Sequence, residues 1–154
     1  RYNVDRRRIY QFGQSAGGTH AAHYAFDERL QPADGIDGVA GAILQSAVLD
    51  PAGGPGGPNV EAYFGKDRTL WGERSLFAKL DGRRIPVFIL YAQYDPPPFR
   101  NESAKLREAL CKRDGACPRT RDIAGHNHLS EILHLGTDDA SIGPELIEFV
   151  RQAP

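Results

Sequence analysis

The chain has 154 residues, 40% of them hydrophobic and 25% charged, with 19 Lys and Arg against 20 Asp and Glu for a net charge of −1. That is enough to bury one sizeable core, and the balance is ordinary for a globular domain. It leaves no excess of positive charge for a nucleic-acid footprint, and no run of about 18 apolar residues that could cross a bilayer.

Arg1 to Arg8 is polar and shows no signal-peptide pattern. Its run Arg6-Arg7-Arg8 lacks a second basic cluster interleaved with aromatics, so it reads as a solvated approach to the first strand. Ile9 to Phe12 is that strand. Gly13-Gln14-Ser15-Ala16-Gly17 then reads as a sharp turn, in which Gly13 and Gly17 lack a Cβ and let the chain bend tightly around Ser15. Ala16 to Leu30 follows as a helix, with Ala21, Ala22, Ala25 and Phe26 at helical spacing, and Gln31 to Gly38 is a polar loop. The continuous apolar run Val39 to Ser46 fits a parallel strand covered on both faces. Pro51 to Pro58 is too rich in Pro and Gly for helix or strand. Glu61 to Leu80 carries Tyr63, Phe64, Trp71, Leu76, Phe77 and Leu80 among polar residues, which predicts one or two short helices with an apolar side.

Ile85 to Ala92 is the clearest strand, with Pro86 at its start, and it stops at Asp95-Pro96-Pro97-Pro98. Phe99 to Lys112 is an amphipathic helix whose first turns hold Asn101-Glu102-Ser103, a triplet that fits either a glycosylation acceptor or a helix cap. Thr120 to Ala124 is a short last strand, and Gly143-Pro144 opens a final helix over Glu145 to Arg151. Strands alternating with helices predict an α/β domain built on a parallel sheet of about four strands.

Cys111 and Cys117 are the only cysteines, and the five residues between them include the turn-forming pair Asp114-Gly115. They could close a small disulfide loop. Paired, they would imply a secreted or periplasmic protein, and free, a cytoplasmic one. The spacing is neither Cys-x-x-Cys nor that of a zinc site. His20 and His23 share one side of a helix without an acidic ligand pattern, so no metal is expected, and His134 has no partner in sequence and reads as structural.

A serine hydroxyl becomes a useful nucleophile only with a histidine in hydrogen-bond reach and a carboxylate to orient that ring. Here Ser15 follows the first strand, Asp95 ends the third, and Gly125-His126-Asn127-His128 follows the last. The Ala16 N–H, at the amino end of a helix, is placed to serve as an oxyanion donor.

The motif Gly-Gln-Ser-Ala-Gly-Gly, the run Tyr91 to Pro97 and the run Ala124 to Ser130 together resemble carboxylesterases of the α/β-hydrolase superfamily, of the hormone-sensitive-lipase and feruloyl-esterase-like group. The resemblance covers essentially the whole chain but only the carboxyl half of that fold. It implies Ser15 as nucleophile, Asp95 as the triad acid and His128 as the base, because the family's triad histidine precedes an apolar residue as His128 precedes Leu129. His126 is the alternative base. It also implies a small or medium ester substrate, no cofactor, and 51–80 as a loop and helical insertion bordering the pocket. The family's second oxyanion donor comes from a His-Gly-Gly-type loop before the nucleophile strand, and these residues hold none. The first strand is then expected to have an open edge, to be covered by another copy or by an amino-terminal half.

Two function classes stay open at this point: a serine carboxylesterase, and a non-catalytic hydrolase-like binding or structural module that needs an upstream segment or partner. Phosphate or dinucleotide binding on the Gly-rich turn is disfavoured, since neither Gly-x-Gly-x-x-Gly nor Gly-Lys-Ser/Thr is present.

Overall fold

The computed structural model describes residues 4–5, 7–30, 39–54 and 56–152; the expected loop Gln31 to Gly38 and Arg6 of the basic run lie outside them. Four parallel strands, β1 (Tyr10–Gln14), β2 (Gly41–Gln45), β3 (Val87–Ala92) and β4 (Arg119–Ile123), pair in the order β1-β2-β3-β4. The register sets Gln14 opposite Gln45, Gln45 opposite Leu90, and Ala92 opposite Ile123, so all four carboxyl ends finish at one edge of the sheet. That edge collects the side chains of the site.

Strand alternation splits the apolar residues between two faces. Leu44 and Ile89 face helices α1 (Ala16–Phe26) and α4 (Pro97–Asp114) through Ala22, Ala25, Phe26, Leu106 and Leu110. Ile43, Phe88, Leu90 and Ile123 face the other way, onto Ile142 and Phe149 beside and within α6 (Gly143–Gln152). Covering on both faces explains why β2 and β3 read as unbroken apolar runs. β1 pairs with β2 alone among the described residues, and its Phe12 stays exposed.

Between β2 and β3 the chain forms short pieces: α2 (Pro58–Phe64), α3 (Trp71–Arg74) and 3-10 turns at Pro51–Gly53, Arg68–Leu70 and Leu76–Ala78. Trp71 anchors them, fully buried with its indole N–H donated to the Gly65 carbonyl at 2.8 Å. One further short helix, α5 (Ser130–Leu133), follows the last strand and has no periodic pattern to announce it.

Two expectations are corrected. Helix α4 begins at Pro97, two residues before the expected Phe99, because Pro97 and Pro98 fill first-turn positions whose N–H groups have no intrahelical acceptor anyway. Asn101-Glu102-Ser103 therefore sits inside the helix and caps nothing: Ser103 is buried, and the Glu102 carboxylate reaches across to accept the Leu49 and Asp50 N–H groups. Cys111 and Cys117 are bonded to each other, across a turn in which Gly115 ends α4 at φ 72°. That left-handed position is one glycine favours.

Candidate active site

The turn after β1 sets the first side chain. Ser15 has φ 54° and ψ −122°, a conformation a non-glycine residue adopts only at a cost of about 1–3 kcal/mol. Its N–H is held by the Gln45 carbonyl at 2.9 Å. A Cβ on Gly13 would fall 2.2 Å from the Gly17 carbonyl oxygen, so only glycine permits the turn there. The second tight position is Gly18, where a Cβ would meet the Ala47 Cβ at 2.8 Å, rather than Gly17, which has open space around it. Ala16 begins α1, where a first-turn N–H has no acceptor within the helix.

The β3 and β4 ends are tied together above the sheet. Tyr94 N–H donates to the His126 carbonyl at 2.9 Å, and Gly125 N–H donates to Gln93 Oε1 at 2.8 Å. These bonds bring the Asp95 turn beside the Gly125–Leu129 loop. His128 Nδ1 lies 2.7 Å from Asp95 Oδ1, and His128 Nε2 lies 2.9 Å from Ser15 Oγ. The partners assign the tautomer: Nδ1–H donates to the carboxylate, and Nε2 accepts from the serine hydroxyl. Phe99 stacks on the ring, with centroids 4.1 Å apart and planes at 25°. Asp95 is buried, and its Oδ2 accepts the Ala92 N–H at 2.7 Å and the Ser46 hydroxyl at 2.5 Å.

A mainly apolar cavity of about 290 Å³ opens on Ser15 and Ala16, with Val60, Tyr63 and Phe64 of α2 on one side and Phe99 on another. A larger open cleft of about 450 Å³ runs between His23, Arg29, Glu73 and Lys79, and no hydroxyl paired with a histidine lines it.

His126 goes elsewhere. Its Nδ1 meets Ser130 Oγ at 3.2 Å, and its Nε2 meets Asp139 Oδ2 at 3.2 Å and Ser141 Oγ at 3.3 Å. Its ring packs on His134 with centroids 4.2 Å apart. His134 Nδ1 donates to the Ser130 carbonyl at 2.9 Å, which leaves its Nε2 to accept from Ser141 Oγ at 3.1 Å. His126, His134 and Asp139 are metal-ligand types within 4.8 Å of one another, but their facing polar atoms are already matched donor to acceptor in this network. His20 and His23 pack on the Tyr63 ring, at 4.7 and 6.2 Å between centroids, and burial pushes the His23 imidazole below its ordinary value.

Three contributors escape the sequence reading. Ser46 and Glu131 lie behind Asp95, and Phe99 covers the His128 ring. The visible trace of Ser46 is the polar pair Gln45-Ser46 closing an otherwise apolar strand, and Glu131 leaves none.

No family model matches the sequence, and no curated protein matches it either. Solved structures do. A carboxylesterase from Lactobacillus plantarum is 23% identical, with a TM-score of 0.65 over 94% of this chain and 57% of its own. Thermogutta terrifontis esterase 2 is 20% identical, with a TM-score of 0.64 over 96% of this chain and 54% of its own. The Pyrococcus horikoshii acylaminoacyl peptidase is 13% identical, with a TM-score of 0.70 over 97% of this chain and 25% of its own. The chain thus spans little more than half of the two esterases and a quarter of the peptidase. At these identities the likeness is one of architecture, and with the parallel sheet and its flanking helices it places the chain in the α/β-hydrolase fold.

Proposed function

We propose that this chain is part of a serine esterase, of the carboxylesterase group named above, and that it hydrolyses carboxylic esters through an acyl-enzyme. The observation that carries the reading is the continuous chain of hydrogen bonds from Ser15 Oγ through the His128 ring to Asp95, at 2.9 and 2.7 Å. In this reading Ser15 attacks the ester carbonyl while His128 Nε2 takes its proton. Asp95 holds the ring and stabilises its cation, and His128 then returns the proton to the leaving alcohol. The Ala16 N–H stabilises the developing oxyanion. Water, activated by the same ring, releases the acid.

The cavity beside Ser15 suits a small or medium apolar group, since its walls are aromatic and aliphatic. The same geometry would serve amide hydrolysis, and an acylaminoacyl peptidase is among the structures that share the fold. Paired nitrophenyl ester and anilide substrates separate the two. The reading itself is tested by a serine-directed phosphonate probe on the wild-type chain and on Ser15→Ala. Labelling and turnover should both disappear in the variant, with turnover falling about 10³-fold or more. Undiminished turnover would overturn the assignment.

A further inference from the structure

Behind Asp95 lies a second carboxyl group that the mechanism above does not use. Glu131, on α5, has no exposed surface, and neither do Gln45 and Ser46 at the end of β2. Its Oε1 accepts an N–H of the Gln14 amide at 3.1 Å and stands 3.6 Å from His128 Nδ1. Its Oε2 is 2.9 Å from Ser46 Oγ, and the same Ser46 Oγ is 2.5 Å from Asp95 Oδ2.

A serine hydroxyl has a single proton to donate. Placed between two carboxylate anions, it could satisfy one and would turn a lone pair toward the other, in a setting without solvent to relieve the repulsion. One of the two carboxyl groups must therefore carry a proton. Asp95 has three donors, from the Ala92 N–H, the Ser46 hydroxyl and His128 Nδ1–H, which together favour its anion. Glu131 has the Gln14 amide on its Oε1, while the nearby Gln45 amide donates to the Glu131 main-chain carbonyl at 2.8 Å. Acceptors are in surplus around it, since the buried Gln45 Oε1 also lacks a donor.

We infer that Glu131 is protonated and uncharged at neutral pH and acts as a positioning residue, its O–H donating to Ser46 Oγ so that the Ser46 hydroxyl is fixed on Asp95 Oδ2. Burial also raises the Glu131 carboxyl above its ordinary value, in the same direction. The titratable groups facing it are Asp95, from the turn after β3, and His128, from the loop before α5. Gln14 at the end of β1 and Gln45 and Ser46 at the end of β2 are polar and uncharged. The consequence concerns His128, and it rests on the roles proposed for Asp95 and His128. An ionised Glu131 would put a second negative charge beside Nδ1, favouring an imidazolium that cannot accept the Ser15 proton. A neutral Glu131 leaves Asp95 as the only anion on the ring among the described residues.

The experiment is an NMR titration of the 154-residue chain labelled at glutamate side-chain carboxyl carbons and histidine rings, with turnover measured in parallel. The Glu131 carboxyl carbon should keep the shift of a protonated acid at pH 7. Glu131→Gln, whose amide can donate to Ser46 Oγ while accepting from Gln14, should move the His128 midpoint by less than about 0.3 pH units. An ionised Glu131 signal at pH 7, or a His128 midpoint about one unit or more lower in the variant, would overturn the inference. In turnover, Glu131→Gln should stay within about twofold and keep the acid limb of the pH profile, while Glu131→Ala, which leaves Ser46 without its donor, should lose about tenfold. Equal losses in the two variants would refute the positioning role. Should Glu131→Gln fail to fold, the carboxyl shift of the wild-type chain decides alone. Absence of turnover in the wild type would count against the esterase reading only, because the two titrations do not depend on it.

Discussion

The rings of His126 and His128 leave one loop two residues apart and meet different kinds of partner. His126 is closed at both ends, on Ser130 at one nitrogen and on Asp139 and Ser141 at the other, with His134 against its face. His128 is closed at one end only, on the buried Asp95, while its other nitrogen meets a hydroxyl that borders a cavity. A histidine whose two nitrogens both end in fixed neighbours stiffens a loop. One that passes from a buried anion to a hydroxyl with free space beyond it can move a proton to something that arrives from outside. Chain position hardly separates the two; the partners do.

That contrast can be broken experimentally. His128→Ala should lower ester turnover by about 10³-fold or more in a chain that still folds, as read by nitrophenyl ester assay and thermal scan. His126→Ala should spare turnover, which stays within about threefold of wild type, and cost stability alone: a loss of about 2 kcal/mol in urea unfolding, from the vacated ring and its stranded partners. If His126→Ala abolishes turnover in a folded chain, the division between the two rings is wrong. Phe99→Ala removes the ring stacked on His128 and part of the cavity wall, and should cost about fivefold to tenfold in kcat/KM, with phosphonate labelling retained.

The smallest effect sharpens the His126 side. The Asp139 carboxyl is held below its ordinary value of 3.8 chiefly by the Ser141 N–H, with the nearby His126 and His134 adding to it. A carboxylate lowered in the folded state contributes stability that is fully present above 3.8 and is lost as pH falls through its lower folded value. Asp139→Asn removes that contribution. The stability gap between wild type and variant, followed by urea unfolding at several pH values, should be widest near neutrality and close on acidification. A gap that widens in acid would contradict the sign.

The sheet was legible because its strands are local signals: Ile85 to Ala92 announces itself by apolar character, by Pro86 at its start and by the prolines that follow Asp95. The order Ser15, Asp95, His128 after the first, third and fourth strands was legible for the same reason, since parallel strands deliver their carboxyl ends to one edge. Glu131 and Ser46 were not, because neither lies in a pattern that repeats. Their significance is the distance between Ser46 and two carboxyl groups 49 and 85 residues further on, which tertiary packing alone creates. The tight glycine at position 18 was hidden similarly, since its constraint comes from Ala47 at the end of a neighbouring strand. Helix α5, at four residues, is too short for periodicity to reveal.

The backbone at Ser15, with φ 54° and ψ −122°, suits glycine better than serine. A variant library screened for heat resistance alone should therefore favour Ser15→Gly, which relieves a conformation costing about 1–3 kcal/mol and gives up only one partly solvent-exposed side chain. A library screened for turnover should discard the same change at once. Position 15 is where breeding this protein for durability and breeding it for work would part company, so any thermostabilised descendant should be checked there first.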